Sequence, residues 1–325
     1  MKREQNNIYA NDDNKKKRIL CCSVVEENGL FGLVNSKGEQ VQPCKYLNIH
    51  QFSDRQDYEV IVLEDNAHNY WLADKNGCIV TTHSCSSIAP SQYVASGGGC
   101  GRWRESGESR NGCIELYNEG KNGLFDIVNV REIVPAIYSP GVPDIEETDG
   151  IYSPGIPVMH QENNCYMAKL VDPSGKELIP FECGYSWIGH VPIDSKEYLI
   201  AARKDGKYGY INIHGTEKIP FRYDFTGDFK DGYAVVGFLN TQDGVSKSLG
   251  VIDHHDRMMI PFKFGYIEHV AVIEGRVFAE GQIGWEMGLP YTILCEDGNC
   301  YELVEGSLSF PSELCVVGNK IVRKN

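Results

Sequence analysis

The feature that most limits what this chain can fold into is a repeated unit of about forty residues. Its clearest copy runs from Tyr198 to Tyr223: an apolar strand, a turn at Asp205-Gly206, an aromatic–glycine pair (Tyr208-Gly209) opening a second strand, a second turn at His214-Gly215, and a third strand closing in Ile219-Pro220-Phe221-Arg222-Tyr223. Glycine after Asp or Asn supplies the positive φ of a tight hairpin turn. The glycine after the aromatic lets a neighbouring strand approach closely. A proline cannot donate to a sheet ladder, so it is expected to end the third strand.

The pattern recurs along the chain. A nearly complete copy is Asn28-Gly29-Leu30-Phe31-Gly32 with Gly38, Pro43 and Tyr46, and a parallel one is Asn122-Gly123-Leu124-Phe125-Asp126 leading to Val134-Pro135 and Tyr138. In that alignment Asp126 stands where Gly32 stands. Further copies end at Ile179-Pro180-Phe181 and Ile260-Pro261-Phe262. Pro180 to Pro220 is 40 residues, Pro220 to Pro261 is 41, Pro135 to Pro180 is 45 and Pro43 to Pro135 is 92. The last interval holds a proline-less copy at Tyr70–Val80, and a worn copy lies at Tyr291–Leu303, giving seven units. The tail Leu314–Val322 resembles the opening strands of one more.

One such hairpin unit cannot bury its apolar face alone, so neighbours must stack. The expected fold is all-β: tandem hairpin repeats in a propeller-like ring of about seven units, with an open β-solenoid as the rival and closure favoured because it hides edge strands. The expected domains are a polar, basic-ended tail over residues 1–18 and a single repeat domain over 19–325, with insertions near 96–112 and 137–157.

These units resemble WG repeats, in which an aromatic–glycine pair precedes a strand, a glycine turn and an Ile-Pro segment followed by Tyr. Residues Lys204–Tyr223 carry the likeness best, and it covers about two thirds of the chain. Phe or Tyr replaces Trp at the signature position throughout. The resemblance implies a β-rich protein of a kind widespread in bacteria and usually treated as an interaction module.

Charge and cysteine usage narrow the function. A net charge of −14 over 325 residues disfavours phosphate backbones and anionic lipid, so neither nucleic acid nor membrane is an expected partner. The apolar run Ile19–Val25 is too short for a signal-peptide core or a membrane span, which places the chain in the cytoplasm. The twelve cysteines form no paired Cys-x-x-Cys clusters, and several sit in apolar strands as core fillers, Cys295 and Cys300 among them.

Four stretches carry candidate chemistry. Asp253-His254-His255-Asp256 is the richest in metal-ligand types, but Asp253 aligns with Asn35, Asp172 and Asn212, so a polar turn explains it. On an extended segment the two imidazoles would also face opposite ways. The run Ser96-Gly97-Gly98-Gly99-Cys100 lacks the Gly-Lys-Ser/Thr of a phosphate loop and reads as an insertion, even with Arg102 and Arg104 beside Cys100. A heptapeptide occurs twice, Ile137–Pro143 and Ile151–Pro157, with acidic residues between the copies. Non-repeat loops of this kind place partner contacts, so Tyr138, Pro140, Tyr152 and Pro154, with Trp103, are the expected contact residues. No catalytic residues, metal or cofactor are expected. The function so read is a non-catalytic protein-binding scaffold. The alternatives are a metal-dependent hydrolase with a site on the ring axis, or an acidic inhibitor or sensor in a bacterial conflict system.

Overall fold

The repeat dictates the architecture seen in the computed structural model, which describes residues 18–52, 59–90, 113–141, 147–148, 151–192, 199–239, 247–284 and 290–324. Among them there is no α-helix, and so none long and apolar enough to cross a membrane. Strands dominate, interrupted by two short 3-10 turns at Phe181–Cys183 and Pro311–Glu313. The chain divides into two compact units, one holding the first three repeats and the other, from Val142 onward, the last four.

In the first unit, β1 (Arg18–Ile19), β2 (Cys22–Glu27), β3 (Leu30–Val34) and β4 (Gln40–Tyr46) form an antiparallel meander. The second repeat pairs β5 (Asn48–Gln51), β6 (Ile61–Glu64) and β7 (Tyr70–Ala73), with a bridge from Ala73 to Ile79 in the fourth strand's place. The third is β8 (Ser87–Pro90), β9 (Cys113–Asn118), β10 (Lys121–Asp126) and β11 (Arg131–Tyr138), followed by β12 (Pro140–Gly141).

The second unit opens with a small hairpin, β13 (Glu147–Thr148) and β14 (Ile151–Tyr152). The fourth repeat contains β15 (Ile156–Glu162), β16 (Cys165–Val171) and β17 (Glu177–Ile179), and the fifth β18 (Trp187–Ile188), β19 (Ile200–Lys204), β20 (Lys207–Ile211) and β21 (Glu217–Tyr223). The sixth is β22 (Phe225–Thr226), β23 (Tyr233–Leu239), β24 (Lys247–Asp253) and the first half of the long β25 (Met258–Ile273). The second half of β25 begins the seventh repeat, with β26 (Arg276–Ile283), β27 (Tyr291–Cys295) and β28 (Cys300–Leu303). The expected seven repeats are therefore present, although the sequence reading of the seventh began only at Tyr291 and missed its opening hairpin. The tail hairpin β29 (Leu314–Val317) and β30 (Lys320–Arg323) joins this same sheet, β30 running parallel to β28.

Central strands such as β6 and β19 are apolar on both faces, because neighbouring repeats within each unit stack face to face. In β6, Ile61 and Leu63 pack with Leu33 and Tyr46 of the first repeat, while Val62 packs with Ile114, Leu116 and Phe125 of the third. In β19, Ile200 and Ala202 pack with Leu170 and Ile179 of the fourth repeat, and Ala201 with Val236 and Ile252 of the sixth. Successive side chains alternate faces, so both rows must be apolar, and the strands read as unbroken apolar runs such as Ile61-Val62-Leu63. Each buried aliphatic side chain contributes about 1.5–3 kcal/mol of transfer free energy. This two-sided stacking of antiparallel meanders is the propeller-type arrangement.

Proline and glycine act as one device. Pro43, Pro135, Pro220 and Pro261 do not end their strands as the sequence suggested. They lie inside β4, β11, β21 and β25, where the register of pairing shifts. A residue that cannot donate is accommodated at a bulge, and the bulged backbone crosses directly over the facing glycine. A Cβ on Gly209 would lie 2.6 Å from the Ile219 carbonyl oxygen, and one on Gly32 2.7 Å from that of Gln42. Gly123 meets Val134 at 2.5 Å in the same way. Gly123, not Asp126, is therefore the counterpart of Gly32, and the sequence alignment of the third repeat was displaced by three residues.

The second turn of each repeat is held by a side chain. Asn35 Oδ1 accepts from the backbone N–H of Lys37 and Glu39, Asp172 from Ser174 and Lys176, Asn212 from His214 and Thr216, and Asp253 from His255 and Arg257. Such turns of the second, fifth and sixth repeats dock on the preceding repeat. The Tyr185 hydroxyl donates to the Gly215 carbonyl at 2.9 Å, and Gln42, which accepts from Tyr46, donates to the Gly77 carbonyl. Tyr223, almost fully buried, donates to Asp256 at 2.5 Å, and Arg222 donates to the other oxygen at 2.7 Å. Burial, reinforced by Asp256, pushes the Tyr223 phenol up to about 12.

Two tests follow from this packing. Gly209→Ala is expected to cost about 2–3 kcal/mol in urea unfolding, because it drives a Cβ into backbone. Gly38→Asn, in open space at a left-handed position Asn tolerates, is expected to cost less than about 1 kcal/mol. Tyr223→Phe is expected to cost about 1–3 kcal/mol, since it removes a hydrogen bond from a buried phenol to a charged carboxylate. The wild-type contribution is complete below pH ~10, where the unfolded phenol is protonated. It is lost as pH rises toward about 12, because only the native state keeps the proton. Stability measured between pH 9 and about 11 should therefore fall more steeply in the wild type than in Tyr223→Phe.

Candidate functional site on the seventh repeat

In the seventh repeat one apolar face is covered by the tail. Ala271 and Ile273 of β25, Phe278 of β26, and Ile293 and Cys295 of β27 pack with Leu308, Leu314 and Ile321 of the tail. Register extends this face outward. His269 pairs with Glu280 and Glu280 with Ile293, while Tyr266 pairs with Gln282 and Gln282 with Tyr291, and directly paired residues share a face. The tail's cover gives out along this row. Tyr266 and Tyr291 are 49% and 48% exposed, and Phe310 at the edge of the tail is 62% exposed. A register shift between Ile267 and His269 displaces Glu268, which hydrogen-bonds the Tyr291 hydroxyl and raises its pKa.

At the boundary between covered and open face, three polar side chains meet. His269 Nδ1 lies 3.1 Å from Glu280 Oε2, and its Nε2 lies 2.8 Å from Ser309 Oγ. A carboxylate only accepts, so Nδ1 carries a proton, and in the neutral imidazole Nε2 is left to accept from the serine hydroxyl. His269 and Glu280 are partly buried, and Ser309 is exposed. Ser309 is held by its neighbours: Leu308 is buried in the core below, and the Ser307 hydroxyl and carbonyl accept from the N–H groups of Ser309 and Phe310 at 3.2 and 3.0 Å. The arrangement has the connectivity of a nucleophile, a base and an orienting carboxylate.

The sequence reading did not select these residues. They are separated by 11 and 29 positions and form no local motif. The available signal was a titratable residue beside an apolar run in each of two strands, His269 before Val270-Ala271-Val272-Ile273 and Glu280 after Val277-Phe278-Ala279, which the missed hairpin would have placed opposite each other.

The structure distributes the expected contact residues. Tyr138 ends β11, half-buried and paired with Asn122, and Pro140 lies in β12, both in the first unit. Tyr152 lies in β14 opposite Glu147, and Pro154 is half-buried just before β15, both in the second unit. The second heptapeptide copy is built into the fourth repeat: the buried Ser153 hydroxyl donates to the Val191 carbonyl at 2.6 Å, and Ile156-Pro157 opens β15. Trp103 and the glycine-rich run lie outside the described residues.

The Asp253–His254–His255 group is compact, with one ligand atom from each within 4.8 Å of the others. The expectation that the imidazoles point apart is incorrect: their ring centroids are 3.9 Å apart, because the segment is a turn and not an extended strand. Asp253 is nevertheless committed elsewhere. Arg257 Nε donates to Oδ2 at 2.7 Å while two backbone N–H groups occupy Oδ1. Burial works against ionisation of this carboxyl, but the Arg257 and backbone hydrogen bonds outweigh it and hold its pKa low. A guanidinium on the only acidic ligand opposes a cation. Cys295 is buried and Cys300 exposed, so this cysteine pair is not the two-sided core filler expected.

Residues 208–240 match the family model of the WG containing repeat, in line with the resemblance read from Lys204–Tyr223. No curated protein sequence matches the chain significantly. Among solved structures, a eukaryotic initiation factor is similar at 10% identity and a TM-score of 0.34, over 85% of this chain and 94% of that one. Hsv2p of Kluyveromyces lactis is similar at 11% identity and 0.32, over 85% and 94%. TolB from Acinetobacter baumannii is similar at 13% and 0.29, over 73% and 61%. At these scores the likenesses carry no argument about function.

Stripping divalent metal with EDTA is expected to leave the melting temperature unchanged, whereas Asp253→Ala should lower stability by about 1–3 kcal/mol through loss of the turn's hydrogen bonds. Thermal unfolding of the two samples side by side checks both.

Proposed function

We propose that this chain is a repeat scaffold that binds a protein partner on the open end of the seventh-repeat face. The observation that carries the reading is the row Tyr266–Gln282–Tyr291 with Phe310 beside it. Three large aromatic side chains stand about half exposed or more, whereas the faces between the fourth and fifth, fifth and sixth, and sixth and seventh repeats are packed. Tyrosine presents a large, stiff, amphipathic surface at low entropic cost, which suits a binding anchor.

Charge selects the partner's chemistry. Glu268 and Glu280 border the row, and the whole chain carries −14. A complementary segment therefore presents basic side chains next to apolar ones, and Arg in particular stacks on tyrosine. Cys22, Cys85 and Cys295 are buried free thiols, which goes with a reducing, cytoplasmic setting.

Selection of a random peptide library against the full chain tests the reading. Enriched peptides should combine Arg or Lys with apolar residues, weaken as salt is raised, and lose about 10-fold or more in affinity to Tyr266→Ser/Tyr291→Ser, as removing two anchors implies. Peptides without basic character, or equal affinity for the double variant, would overturn it.

A further inference from the structure

We propose that Ser309 is a nucleophile, activated by His269 and oriented through Glu280, that accepts acyl groups from esters with an apolar acyl portion. The inference rests on the relay geometry and not on partner binding. Ser309 Oγ lies within hydrogen-bond reach of a histidine nitrogen whose other nitrogen is fixed by a carboxylate, at 2.8 and 3.1 Å. His269 and Glu280 sit on paired strands, so the sheet ladder sets their relation. Ser309 follows a buried leucine and precedes a 3-10 turn, so its backbone is anchored while its hydroxyl stays exposed. Phe310, the next residue, is exposed, and Tyr266 and Tyr291 lie further along the face that carries His269 and Glu280.

In the reaction, a bond forms between Ser309 Oγ and the ester carbonyl carbon as the hydroxyl proton passes to His269 Nε2. The ester C–O bond then breaks, and the departing alcohol takes that proton. Water, losing a proton to Nε2, attacks the acyl-serine, and the carboxylic acid leaves as Ser309 recovers its proton. Glu280 is a positioning residue: it keeps Nε2 free as the base and stabilises the imidazolium.

The site's weakness is at the oxyanion. The N–H groups of Ser309 and Phe310 are engaged by Ser307, and a missing oxyanion donor is worth about 10²–10³ in rate. Acylation should therefore need an activated ester, and turnover should be slow.

The test is p-nitrophenyl butyrate with the full chain, followed by stopped-flow absorbance and peptide mass mapping. The expected result is a burst near one nitrophenolate per chain, slow turnover, and one butyryl group on Ser309. Ser309→Ala, which removes only an exposed hydroxyl, should abolish the burst. His269→Gln should slow it about 10³-fold or more. Glu280→Gln should slow it and move its pH–rate profile, a change that a purely structural carboxylate would not produce. Melting temperatures of all three variants, and labelling of Ser309 by a fluorophosphonate, separate lost chemistry from lost folding. No burst in the folded wild type, an adduct elsewhere, or an unchanged burst in Ser309→Ala would overturn the proposal.

Discussion

A sheet with two apolar faces is stable only between two others, and that constraint orders the whole chain. In β6 and β19 alternate residues belong to different hydrophobic clusters, one shared with the preceding repeat and one with the following. No repeat owns its core. A defect in one strand is therefore felt on both sides, and stability passes between nearest neighbours as in other repeat arrays.

Polar groups set the register of this stacking, which apolar contact alone would leave loose. The Asx turns that end the third strands of the second, fifth and sixth repeats are closed by their own Asp or Asn and then received by the previous repeat's tyrosine, directly for Tyr185 and Tyr223 and through Gln42 for Tyr46. A hydroxyl on a specified turn fixes one alignment, because any slip would leave a buried donor unmade. The seventh repeat departs from this pattern. Cys295 occupies the turn's first position, where no side-chain oxygen is available, and Asp297 takes over one of the hydrogen bonds. The turn keeps its backbone bonds, and the repeat is the one that ends the series.

How much of this could be read from sequence depends on the range of the interaction. The hairpin turns were legible because they are local: Asn28-Gly29 and Asp205-Gly206 both adopt the left-handed conformations their residue types favour. The equivalence of Asn35, Asp172, Asn212 and Asp253 was also legible, since each precedes its turn by the same spacing. The glycine–proline device was half legible. The glycine's need for close approach was clear, but the proline's bulge requires knowing which strand lies opposite, and that error displaced the third repeat's alignment. The contact loops were least legible. Tyr152 and Pro154 belong to a heptapeptide that looks like an insertion, yet Ser153 within it is buried and pinned to Val191. The relay lay beyond sequence altogether, because it joins two strands to the tail across 40 residues.

The last repeat is where the architecture can place chemistry. Inside the array both faces of a sheet are occupied, so a polar side chain there must be satisfied completely or lost to selection for stability. The seventh face is covered by a tail of limited length. Leu308 reaches the core immediately before the exposed Ser309 and Phe310, and Leu314 and Ile321 return to it. Under the tail the face is as apolar as any other. Beyond it the same row of positions carries tyrosines. Only at the edge can a histidine be partly buried, held by a carboxylate on the next strand, and still reach an exposed hydroxyl.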